Sequence, residues 1–239
     1  MYKGMYVAMA GSLLRSQELD NISNNLANVS TTGYKRMSFS SRFYPLLEGL
    51  AAKEDSFFPG ARSMATATDV VIDSADGILK TTGNSLDLAI RGEGFFVVLE
   101  KGQKYYTRNG SFALDKDGFI VTPRGGKVLD GKDKPIKPGD GPITINGEGT
   151  VTVNGTVSGK IKLAKIEDLR YSGDSLFTGR ETGPAKGDMV QGSVEMSNVN
   201  PIREMVGIIN AMRQYEMAQK VMQSFNELTQ RTVTEIAKV

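Results

Sequence analysis

The last 38 residues, 202–239, contain no proline and a single glycine, Gly207, and they follow Asn200-Pro201. Asparagine caps a helix start, and proline fits its first position, where the missing N–H has no partner to lose. The run predicts one helix roughly 57 Å long. Ile208, Ala211, Tyr215, Ala218, Met222 and Phe225 recur in steps of three and four, with Met212 beside them. That mean spacing is near the 3.5 of a coiled coil rather than the broader stripe of a globular helix. Glu216–Lys220 and Glu227–Arg231 add favourably oriented i,i+4 pairs worth ~0.3 kcal/mol each. A helix of this length needs a long partner to cover its stripe.

The partner expected within the chain is the N-terminus. Residues 3–28 read as a second helix, with Met5, Met9, Leu13, Ser16, Leu19, Ile22 and Leu26 on one stripe. Between the two helices the composition changes. Of 27 glycines 22 lie between residues 51 and 200, as do 6 of 8 prolines, so the middle is turn-rich where the ends are helix-friendly. From Leu86 to about Ser193 the apolar period is two. Asn109-Gly110, Asp117-Gly118, Asn146-Gly147 and Asn154-Gly155 carry the type I′ hairpin signature between β-favouring runs. The fold expected is therefore α+β. Long N- and C-terminal helices form a coiled-coil-like pair, and an antiparallel β-rich barrel or sandwich is inserted between them. The expected division is a helical core of residues 1–35 and 200–239, arms of 36–85 and 180–199, and a β-rich outer domain of 86–179. Within the first arm, Phe39, Phe43, Tyr44, Leu46, Leu47 and Leu50 suit a short helix or an extended segment. Phe57-Phe58-Pro59-Gly60 breaks it, and 66–72 and 78–82 suit strands.

Composition excludes much chemistry. The chain has no cysteine, histidine or tryptophan, and its formal charge is +2. Absent cysteine and histidine remove thiolate nucleophiles, the commonest general base and the usual zinc ligands. Near-neutral charge implies no polyanion, so no nucleic-acid partner is expected. No run approaches the ~18 apolar residues of a membrane span, and the N-terminus lacks the pattern of a cleaved secretory signal. Asp115-Lys116-Asp117-Gly118 begins like a calcium loop, but its glycine sits at position four instead of six and the closing position is Gly126 instead of a glutamate. Gly92-Glu93-Gly94 lacks the third glycine of a dinucleotide fingerprint. Asp87, Glu93 and Asp115 show no sign of converging as a carboxylate pair. No catalytic, cofactor or metal site is expected.

The most unusual stretch is Asn21-Ile22-Ser23-Asn24-Asn25-Leu26-Ala27-Asn28, four asparagines within eight residues of a helix. Asparagine competes for backbone hydrogen bonds and weakens helices. It suits either a fraying end closed by Gly33 or a polar face that hydrogen-bonds a neighbouring chain or the C-terminal helix.

Four stretches together resemble the bacterial flagellar rod and hook protein family. The first runs from Ser23-Asn24-Asn25-Leu26-Ala27-Asn28 through Thr32-Gly33-Tyr34-Lys35. The second is Leu86-Asp87-Leu88-Ala89-Ile90-Arg91-Gly92-Glu93-Gly94-Phe95-Phe96-Val97-Val98, and the third Tyr106-Thr107-Arg108-Asn109-Gly110-Ser111-Phe112 with Asp115, Gly118 and Val121. The fourth is Ser197-Asn198-Val199-Asn200 with Met205 and Arg213-Gln214-Tyr215-Glu216. The resemblance implies a structural subunit of the basal-body rod in the periplasm, exported by the flagellar type III apparatus without a cleaved signal. Its partners would be copies of itself and neighbouring rod subunits. Length and the stretch from Arg213 to Gln223 resemble the proximal-rod branch, with the distal-rod branch as alternative. A closed coiled-coil scaffold or adhesin is the reading outside the family. Head-to-tail contacts that do not close build filaments. The assembly interface implied comprises Met9, Leu13, Leu19, Ile22, Asn25, Leu26 and Asn28 on the first helix. On the last it comprises Ile208, Met212, Tyr215, Ala218, Met222 and Phe225.

Overall fold

The computed structural model describes residues 2–46 and 62–236. Leu47, Leu50 and Phe57-Phe58-Pro59-Gly60 lie outside the described residues. In chain order the elements are α1 (Tyr2–Ala27), β1 (Met37–Leu46), β2 (Arg62–Ile72), β3 (Leu79–Thr81), β4 (Leu88–Arg91), β5 (Phe95–Glu100) and β6 (Gln103–Thr107). There follow β7 (Ala113–Leu114), β8 (Ile120–Val121), β9 (Lys127–Val128), β10 (Ile143–Ile145), β11 (Thr150–Val153) and β12 (Thr156–Lys160). The last are β13 (Leu163–Gly173), β14 (Leu176–Pro184), β15 (Asp188–Gln191), β16 (Ser193–Glu195) and α2 (Pro201–Ile236). Two compact units result. One comprises Met1–Leu26, Met37–Val71 and Pro201–Val239, the other Ala27–Arg36 and Ile72–Asn200. Residues 27–35, grouped on sequence grounds with the terminal helices, cluster with the β-rich unit.

The β-rich unit is built around β5. One edge of β5 pairs with β6, and the other with β13 at Phe95–Phe96 and with β9 at Val98–Leu99. Because β13 also pairs with β14 and β14 with β6, these four strands close into a ring. Phe96 and Val98 point into a core with Leu88, Ile90, Ile120 and Val151. Phe95 and Val97 point into a second core with Tyr106, Ala164 and Phe177. A strand buried on both faces needs an unbroken apolar run, which is what Phe95-Phe96-Val97-Val98 supplies. Smaller sheets, β10-β11-β12, β15-β4 and β16-β3, complete the unit.

The turns follow the sequence signature only in part. Asn154-Gly155 joins β11 to β12 with both φ angles positive, 50° and 79°, as a type I′ turn demands. Asn109-Gly110 makes no such hairpin. The Gly110 carbonyl accepts the Leu88 N–H at 2.9 Å, and a Cβ on Gly110 would overlap the Leu88 carbonyl. Glycine serves there for close approach. Two tight turns lie instead at Lys101-Gly102 and Asp174-Ser175, again with both φ positive.

In the helical unit, α1 and α2 run to roughly 39 and 54 Å, and β1 and β2 pair as a two-stranded sheet. The segment that suited a short helix or extended arm at Phe39 is therefore the strand β1. The coiled-coil-like pairing of the helices is overturned. Their described contacts lie at Ile22 against Gly207 and at Asn25 against Glu204, and no interlocking seam follows. The cause is rotational. Among the described side chains of α1 the buried ones are Ser12, Leu14, Ile22 and Asn25, whereas Met9 and Leu13 are 55% and 61% exposed. At 100° per residue Leu13 lies about 180° from Ile22, so both cannot face one partner.

Candidate assembly surface

The implied interface residues fall into two sets. On α2, Glu204 and Ala211 are buried, and Ile208, Tyr215, Ala218, Met222 and Phe225 are half-buried within the single chain. These form one side of the helix. The opposite side of its first three turns carries Ile202, Met205, Val206, Ile209 and Met212, all exposed, with Met212 at 49%. Met9 and Leu13 of α1 are exposed as well, as are Val7 on α1 and Met217, Val221, Leu228 and Val233 further along α2. Leu19, Leu26 and Asn28 are half-buried, and Ile22 is buried.

Asn25 is fully buried, and its amide works inside the subunit. Its Nδ2 donates to the Met37 carbonyl at 2.7 Å, and its Oδ1 accepts the Met37 N–H at 2.9 Å. A longer bond of 3.4 Å reaches Glu204 Oε2 at the start of α2. A carboxylate in the first turn of a helix is favoured by the helix dipole. The asparagine-rich turn thus ties three elements of this unit rather than fraying.

A second buried polar centre lies in the β-rich unit. Glu195, on β16, is wholly buried and accepts from Lys35 Nζ at 2.7 Å, from the Gly77 N–H at 2.8 Å and from Arg108 Nη1 at 3.0 Å. Lys35 also donates to the Ala75 carbonyl at 2.7 Å, and Arg108 to the Gly92 carbonyl at 2.7 Å. Arg108 Nη1 also lies 3.3 Å from the more exposed Asp76, and the guanidinium carbon Cζ lies 5.2 Å from the centre of the Phe95 ring. Burial pulls the Lys35 ammonium below its ordinary value, against the attraction of Glu195 and with the repulsion of Arg108. Charges this deeply buried persist only when paired and hydrogen-bonded. Sequence reasoning missed this centre. Its one local sign is an acid in the short strand Ser193-Val194-Glu195, where it is not at a turn.

The carboxylates weighed for catalysis have local duties. Asp87 accepts from Thr82 and Asn84, Asp115 caps its own turn through the Asp117 and Phe119 N–H groups, and Glu93 pairs at the surface with Lys165. An open cleft of about 600 Å³ alternates Lys160, Lys162 and Lys186 with Glu148, Glu181 and Asp188. Lys162 lies 2.8 Å from Glu181 and Lys160 lies 3.5 Å from Glu148.

Three family models match successive parts of the chain. The flagella basal body rod protein model covers residues 5–35, the D1 domain of flagellar hook protein FlgE/F/G covers 89–158, and the C-terminal model of the flagellar basal body rod FlgEFG proteins covers 190–235. The order helix, β-rich insert, helix is thus that of the rod and hook class of structural proteins. A flagellar basal-body rod protein FlgF of Caulobacter vibrioides is 32% identical over 250 residues, covering all of both chains. One of the same name from Mesorhizobium japonicum is 29% identical over 90% of each. A rod protein FlgG of Borreliella burgdorferi is 32% identical over 95% of this chain and 96% of its own. The chain belongs to the flagellar basal-body rod protein family, whose members are structural and not enzymes. Among the described residues no helix is long and apolar enough to cross a membrane.

Proposed function

We propose that this chain is a proximal-rod subunit that stacks with its own copies and with other rod proteins in the periplasm. In this reading α1 and α2 build the shaft that carries torque, and the β-rich unit contacts lateral neighbours outside it. The observation that carries the proposal is the exposed apolar side of α2, Ile202, Met205, Val206, Ile209 and Met212, with Met9 and Leu13 on α1. Exposed apolar side chains grouped on a helix side in this way mark a contact site. The half-buried seam of Ile208, Tyr215, Ala218, Met222 and Phe225 would complete its burial in the assembly. Export through the flagellar type III apparatus without a cleaved signal belongs to the same proposal.

The end-to-end match to a FlgF relative favours the proximal position. The 32% identity to a FlgG relative supports the distal position as the second reading. Deleting the gene from the native bacterium and imaging isolated basal bodies tests the proposal. Basal bodies lacking a complete rod, in cells that do not swim, are expected. Complete basal bodies with normal swimming would overturn it, and antibody labelling along the shaft separates the proximal from the distal position.

A further inference from the structure

We infer that three separate passages of the chain, residues 33–36, 73–77 and 193–198, form a single clasp on the β-rich unit that opens and closes as one. Each passage is held by the other two. The Gly33 N–H donates to the Glu195 carbonyl at 2.8 Å, Lys35 Nζ donates to the Glu195 carboxylate, and the Arg36 N–H donates to Asn198 Oδ1 at 2.7 Å. Asn198 Nδ2 in turn donates to the Asp73 and Ala75 carbonyls, both at 3.0 Å. The Asp73 N–H donates to the Arg36 carbonyl at 2.8 Å, and the Gly77 N–H closes the circuit on Glu195.

Removing one passage leaves buried groups on the other two unpaired. Without residues 33–36, Glu195 loses a cation and Asn198 an N–H. Without 193–198, Lys35 is left as a buried cation facing Arg108. A buried charge stripped of its partner costs far more than the pair itself contributes, so partly opened states are disfavoured and the three passages move together. The four points at which the chain passes between the two units fall after residues 26, 36, 71 and 200. Three of the four lie within two residues of a clasp passage, and the remaining one within seven. If the rod reading holds, a load arriving along either terminal helix is shared by this one centre. The clasp itself stands on the single-chain geometry alone.

Hydrogen exchange by mass spectrometry on the purified full-length chain tests it, independently of any rod assembly. In Glu195→Gln the amides of all three passages should exchange faster together, by roughly tenfold or more, while residues 95–100 of β5 keep their protection. Asn198→Ala, which leaves the ion pair intact, should show the same joint pattern more weakly. Faster exchange confined to the mutated passage in either variant would overturn the clasp. So would loss of β5 protection in Asn198→Ala, because the centre would then be inseparable from the core.

Discussion

The Asn25 side chain and the Met37 backbone exchange two hydrogen bonds, at 2.7 and 2.9 Å, so that a side-chain amide pairs with a main chain as a neighbouring strand would. This joins the last turn of α1 to the first residue of β1. Asn25→Ala leaves a buried N–H and a buried carbonyl unpaired, at ~1–3 kcal/mol each. Chemical denaturation followed by helix circular dichroism should show a loss of about 2–6 kcal/mol. Asn25→Asp keeps the acceptor, loses the donor and sets a second carboxylate beside Glu204. It should be less stable than the alanine variant at neutral pH.

Gly33 holds φ at +67°, and a Cβ there would overlap the Asn109 amide nitrogen. Gly102 has φ at +81° with open space around it. Gly102→Ala therefore carries only the conformational penalty, ~1 kcal/mol, or roughly 2–4 °C in Tm for a chain of this size. Gly33→Ala must also displace backbone, and its Tm should fall several times further. Equal losses in a paired thermal melt would remove the argument for close approach at Gly33.

These positions mark where sequence pattern stops being informative. The α2 side bearing Ile208, Ala211, Tyr215, Ala218, Met222 and Phe225 is visible in the sequence because its spacing is local and apolar. On α1 the same logic selected Met9 and Leu13, which are exposed in the single chain, and left the asparagine-rich stretch as a fraying end or a polar face toward a neighbouring chain or the C-terminal helix. Hydrophobic periodicity does not register a buried polar side chain whose partner is a main chain 12 residues away. Lys35, Arg108 and Glu195 are harder still, with Glu195 160 residues from Lys35 and 87 from Arg108. Turns show the same division. Asn154-Gly155 is self-sufficient, whereas Lys101-Gly102 and Asp174-Ser175 adopt positive φ because the strands they join pair closely.

The Lys35 ammonium gives the stability a pH signature. Burial holds its folded value below 10.5, while the unfolded chain keeps that proton up to about 10.5. Between the two values the unfolded state binds more protons, so unfolding becomes less favourable as pH rises. The stability of the wild type relative to Lys35→Met should therefore increase from the folded value towards pH 10.5. Urea midpoints of both proteins across alkaline pH check the sign. At neutral pH the variant strips Glu195 of one buried cation and should lose about 3–5 kcal/mol.

The central claim, that the exposed helix faces are subunit contacts, is open to one direct measurement because the chain contains no cysteine. Met9→Cys, Leu13→Cys, Ile209→Cys and Met212→Cys each introduce a single thiol at an exposed apolar position. Maleimide labelling rates are compared between the purified chain and basal bodies isolated from cells that make it. Rapid labelling of the free chain and strong protection of all four positions in the basal body is the predicted result. Equal rates in the two states would contradict the account.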